Sequence, residues 1–136
     1  MKAERLKESM LANAEEIQRL NARVNETAKV RDRSPEDHRN WQLACETFHS
    51  RYDALAFPGG YAGALERIVA GEPEAIEAAL CFLEARPCFF RSGYMFKDIL
   101  RKTKRPALSG QQAARLAQVV AAYANHRSQS HQAHGA

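Results

Sequence analysis

Residues 4–31 carry apolar side chains at a spacing that only a long helix can use. Leu6, Met10, Ile17, Leu20 and Val24, with the polar Asn13 and Thr27 in the same series, alternate by four and three residues without a break. At about 100° per residue this spacing gathers all seven on one stripe of an α-helix, whereas a strand would scatter them over both faces. In heptad terms Met10, Ile17 and Val24 occupy a, while Leu6, Asn13, Leu20 and Thr27 occupy d. β-branched residues at a with Leu at d favour a parallel two-stranded coiled coil. Asn13 and Thr27 weaken such a coil, and the flanking e and g positions offer no strong charge pairing. Two destinations are therefore open to the seam. It can serve an N-terminal helical arm, residues 1–33, that forms a homodimer or captures a partner, or it can pack on its own domain.

Beyond Arg33 the chain is punctuated by helix starts and stops. Ser34 followed by Pro35, Glu36 and Asp37 announces a second helix: Ser can cap, Pro suits the first helical position, and acids oppose the positive end of the helix dipole. Trp41, Cys45, Phe48, Tyr52 and Leu55 give that helix an aromatic-rich stripe, and Pro58-Gly59-Gly60 ends it. A short helix over 62–70 stops at Gly71, and another runs from Pro73 to about Ala85 before Arg86-Pro87. Ser92 is the expected cap of a helix over 93–104, closed by Pro106. Ser109 with Gln112 forms a capping box for a last helix that is expected to end near Ala124, where aliphatic anchors run out. The polar remainder, 125–136, reads as a disordered tail.

No segment alternates like a strand. The expected fold is all-α: a small helical bundle or a short stack of helical hairpins, solenoid-like, with a long N-terminal helix and a core domain over 34–124. There is no repeat at a fixed period. A chain of 136 residues suffices for one independent core. No run of 18 apolar residues marks a membrane span, the charged N-terminus lacks a signal-peptide core, and three cysteines without metal-ligand spacing read as reduced thiols. The expectation is a cytoplasmic protein with no membrane contact.

The most asymmetric stretch is 86–105, with seven bases against one acid, Asp98, and four of the ten Phe and Tyr residues. On a helix, Tyr94, Lys97, Arg101, Lys104 and Arg105 share one side, and Phe96, Ile99, Leu100 and Thr103 the other. Asp98 and Lys102 are spaced for an i, i+4 ion pair. Residues 58–90 hold five acids and two bases, whereas 91–136 hold eight bases and one acid. Glu74, Glu77 and Glu84 fall together and read as a solvated acidic face.

Signals for chemistry are sparse. Cys45 and His49 lie one turn apart, short of the four ligands a structural zinc needs. Cys81 and Cys88 have no argued redox environment, and His126, His131 and His134 sit in the tail. Pro58-Gly59-Gly60-Tyr61-Ala62-Gly63 lacks the strand and Lys-Ser/Thr of a phosphate loop. The expected function is thus a non-enzymatic protein-interaction module of adaptor, regulator or inhibitor type, with no catalytic residue, metal or cofactor. Arg91, Tyr94, Lys97, Arg101, Lys104 and Arg105 would meet an acidic protein partner. The alternative is nucleic-acid binding by the same basic face, which requires several cations on one exposed surface and gains from aromatics that stack on bases.

Overall fold

A computed structural model describes residues 2–135, and their side chains as far as Asn125. Among the described residues there are six helices and no strand: α1 Lys2–Val30, α2 Pro35–Ala56, α3 Ala64–Val69, α4 Pro73–Ala85, α5 Ser92–Thr103 and α6 Gly110–Gly135. The all-α bundle expected from the sequence is what forms.

α4 is the axis of the molecule. Its sequence is apolar nearly all round, and Ala75, Ile76 and every residue from Ala78 to Leu83 is buried. A helix that is apolar over most of its circumference has to be largely enclosed. α1, α3, α5 and α6 all pack on α4, while α2 packs chiefly along α1. Ile17 of α1, Ile68 of α3, Leu80 of α4 and Ile99 of α5, all fully buried, belong to one cluster with Phe57, Phe82 and Phe89. Tyr52, Phe82 and Phe89 meet edge to face, Phe89 lying 6.0 Å from Tyr52 and 6.4 Å from Phe82.

The α1 seam takes the intramolecular of its two destinations. Met10, Ile17 and Leu20 are buried, and Leu6 packs against the same cluster with Val24 half-buried. Ile17 retains no exposure, a burial that stabilises by about 2–3 kcal/mol. The polar seam position Thr27 is accommodated because its hydroxyl donates to the carbonyls of Arg23 at 2.8 Å and Val24 at 3.1 Å. Within the chain, α2 and α4 pack against α1 along this seam.

Local signals set most boundaries. Ser34 Oγ accepts from Asp37 N–H at 3.0 Å, and Ser109 and Gln112 bond reciprocally at 2.9 and 3.2 Å. Gly60 turns the chain at φ 88°, where Asp53 accepts from the N–H groups of Tyr61 and Ala62. Two expectations fail. Ser92 does not cap forward; its hydroxyl accepts from Phe89 N–H at 3.0 Å, and Arg91, at φ 68°, precedes the helix instead. α6 runs to Gly135 rather than stopping near Ala124, because no Gly or Pro interrupts 111–134 and helix propensity carries the backbone on without an apolar stripe. The side chains of His126, His131 and His134 lie outside the described residues.

Candidate interaction surface on the basic helix

α5 is held by its apolar side. Met95, Phe96, Ile99, Leu100 and Thr103 are buried, and the Thr103 hydroxyl donates to the Ile99 carbonyl at 2.6 Å. That leaves the opposite side to solvent. Lys97, Arg101, Lys104 and Arg105 are exposed, as is Arg91 at the helix start. Tyr94 is 72% exposed. Arg91 thus precedes α5, Tyr94, Lys97 and Arg101 lie exposed along it, and Lys104 and Arg105 follow its last residue.

Whether these cations are free depends on the nearby acids. Glu77 and Glu84, expected to form a solvated face, are committed elsewhere. Arg115 of α6 donates to both oxygens of Glu84, at 3.0 and 2.6 Å, and to Glu77 at 2.8 Å. Lys7 of α1 adds a third cation contact to Glu84 at 3.1 Å. The guanidinium hydrogen bonds, more than Lys7, hold the Glu84 carboxyl below its ordinary range. This cluster ties α1, α4 and α6 together and leaves α5 unneutralised. The expected Asp98–Lys102 pair does not form either; Asp98 pairs with Arg101 at 3.2 Å, one residue closer along the helix. Among the described residues, Arg91, Lys97, Lys104 and Arg105 make no ion pair.

Sequence reasoning missed Phe90. It is 48% exposed at the start of the same surface, lies 5.9 Å from Phe48 of α2, and carries the Arg91 guanidinium 5.4 Å from its ring. The Tyr52 hydroxyl donates to the Phe90 carbonyl at 2.7 Å, which fixes this corner. Arg115 was missed as well, although its spacing to Val119 already placed a guanidinium beside the apolar stripe of α6.

A groove of about 480 Å³ runs between α3 and α5, lined by Leu65, Glu66, Val69, Ala70, Lys102 and Arg105. Its floor is apolar and two cations stand on its α5 side. A second groove, of about 340 Å³, lies between α1 and α2 and includes Arg19, Arg23 and Arg51. There Arg19 and Arg51 are already bonded to Glu16, whose carboxyl they hold below its ordinary range.

Cys45, Cys81 and Cys88 are free thiols. Burial first, and then a hydrogen bond to Glu77, push the Cys81 thiol up to about 11, which opposes formation of a reactive thiolate. Cys45 is half-buried and His49 exposed, and among the described residues no three His, Cys, Asp or Glu side chains converge as metal ligands. No described helix is long and apolar enough to cross a membrane. Comparison with protein-family models, curated proteins and solved structures finds no match to this chain. The functional reading therefore rests on the chain's own geometry.

Proposed function

We propose that this chain is a non-enzymatic helical interaction module that uses α5 to dock an acidic protein surface. The observation that carries the reading is the uncommitted state of the α5 cations: Glu77 and Glu84 are bonded to Arg115 and Lys7, and among these cations Arg101 alone has a carboxylate. An exposed guanidinium or ammonium without an internal partner loses little on meeting a carboxylate from outside, and several on one face steer an acidic partner by their summed field. The apolar floor of the α3–α5 groove supports a protein partner in particular, since a folded acidic surface brings side chains that such a floor can bury and a phosphate backbone does not.

A second reading, nucleic-acid binding, draws on Phe90 and Tyr94. Both are exposed aromatics, flanking Arg91, and stacked bases need such rings. The two readings separate in a nuclease-treated affinity capture from the native cell, repeated at low and high salt and with the Lys97→Glu/Arg101→Glu variant. The module reading expects retention of a protein that survives nuclease and is lost in the variant. Retention that disappears with nuclease, and falls steeply with salt, would support nucleic acid instead.

A further inference from the structure

The outward face of α1 carries the chemical complement of the α3–α5 groove. Glu4, Glu8, Leu11 and Glu15 are all exposed, Leu11 by 46%. Their spacing of four, three and four residues confines them to about 60° of the helix circumference over a length of about 16 Å. None of the three glutamates forms an ion pair among the described residues. This stripe is distinct from the buried Met10–Ile17 seam and points away from it. Opposite in sign, the groove offers Lys102 and Arg105 beside Leu65, Val69 and Ala70, with Glu66 as its one acid and Val69 still 38% exposed.

We infer that a second copy of this chain occupies the groove, its Glu4–Glu8–Leu11–Glu15 stripe lying across α3 and α5 with Leu11 on the apolar floor and the glutamates against Lys102 and Arg105. The inference rests on the proposed acidic-partner reading and names the partner. α1 and α5 each pack on α4, without extensive contact between them, so a chain cannot lay its own stripe into its own groove. The contact is heterologous: stripe and groove are different surfaces, and each copy retains one of each. A stripe of this length buries less than a standard interface, so the association is weak and falls with salt.

Light scattering of the full chain across a concentration series, at low and at high salt, tests this with three variants. Wild type gains mass with concentration at low salt and loses it at high salt. Glu8→Lys/Glu15→Lys and Lys102→Glu/Arg105→Glu each lower the association constant about tenfold or more. The quadruple variant, with both faces reversed, regains association, as paired charges demand. All four substituted positions carry exposed or groove-lining side chains, and unchanged thermal unfolding confirms that the variants fold. Wild type that stays monomeric at low salt overturns the inference, as does undiminished association of the groove variant. Binding of poly-L-glutamate to the same samples reports separately on the broader reading. A monomeric chain that binds it, and loses it on Lys102→Glu/Arg105→Glu, has a different acidic occupant and refutes the second copy alone. A chain that does not bind it refutes the broader reading.

Discussion

Arg115 is the residue on which the electrostatic layout turns. With side chains only a fifth to a quarter exposed, its pairs with Glu77 and Glu84 are shielded enough to matter. Arg115→Met leaves both carboxylates half-buried without their main partner and lowers stability by about 1–3 kcal/mol, measurable by urea unfolding. The pH dependence follows from the same contact. The folded Glu84 carboxyl lies below its ordinary value of 4.5, so its contribution is complete above that value and is lost as pH falls through the depressed one. Stability therefore drops on acidification below about pH 4.5, and the drop is shallower in Arg115→Met. Cysteine reactivity gives an independent check. With its thiol buried and pushed up to about 11, Cys81 resists alkylation in the folded protein at neutral pH, whereas exposed Cys88 is modified first. Early labelling of Cys81 would contradict this packing.

At the scale of elements, the informative helices are α1 and α5. The four-three spacing of α1 picked out Met10, Ile17, Leu20 and Thr27 on its buried side and left out Ala14, but the spacing is silent on what covers the stripe, because an apolar stripe satisfies a second copy and α4 equally. Ile17→Ala accordingly costs about 2–5 kcal/mol in unfolding experiments without changing molecular mass at high salt. A shift in mass would mean that the seam holds an interface after all. The basic face of α5 was legible for the complementary reason: buried Phe96, Ile99 and Leu100 fix its rotation, and rotation fixes where Lys97 and Arg101 point. Pairing was not legible. The partners of Glu77 and Glu84 come from α6 and α1, 31 to 38 residues away for Arg115 and far upstream for Lys7, and only the packed fold brings them together. Phe90 escaped for a related reason, since its exposure depends on the turn that Arg91 makes at positive φ. That glycine positions matter was clear from Pro58-Gly59-Gly60; why they matter needed coordinates. A Cβ at Gly60 would sit 2.7 Å from Asp53 Oδ2 at a φ of +88°, so Gly60→Ala destabilises the α2–α3 turn by about 1 kcal/mol or more, again by urea unfolding.

For the molecule as a whole, α4 divides the work. It buries one side of α1 and of α5 while Arg115 and Lys7 neutralise its Glu77 and Glu84, and the charge that remains appears on outward faces. A net charge of +4 is modest, but the fold concentrates its excess on α5 instead of spreading it. A docking module needs this separation between a closed core and an open charged face. The most direct test maps backbone amide shifts of the full chain on titration with poly-L-glutamate at low salt. Shifts confined to residues 91–105 and the facing edge of α3, abolished by Lys97→Glu/Arg101→Glu, are the predicted result. Shifts centred instead on Arg19, Arg23 and Arg51, or none at all, would contradict an α5 docking face.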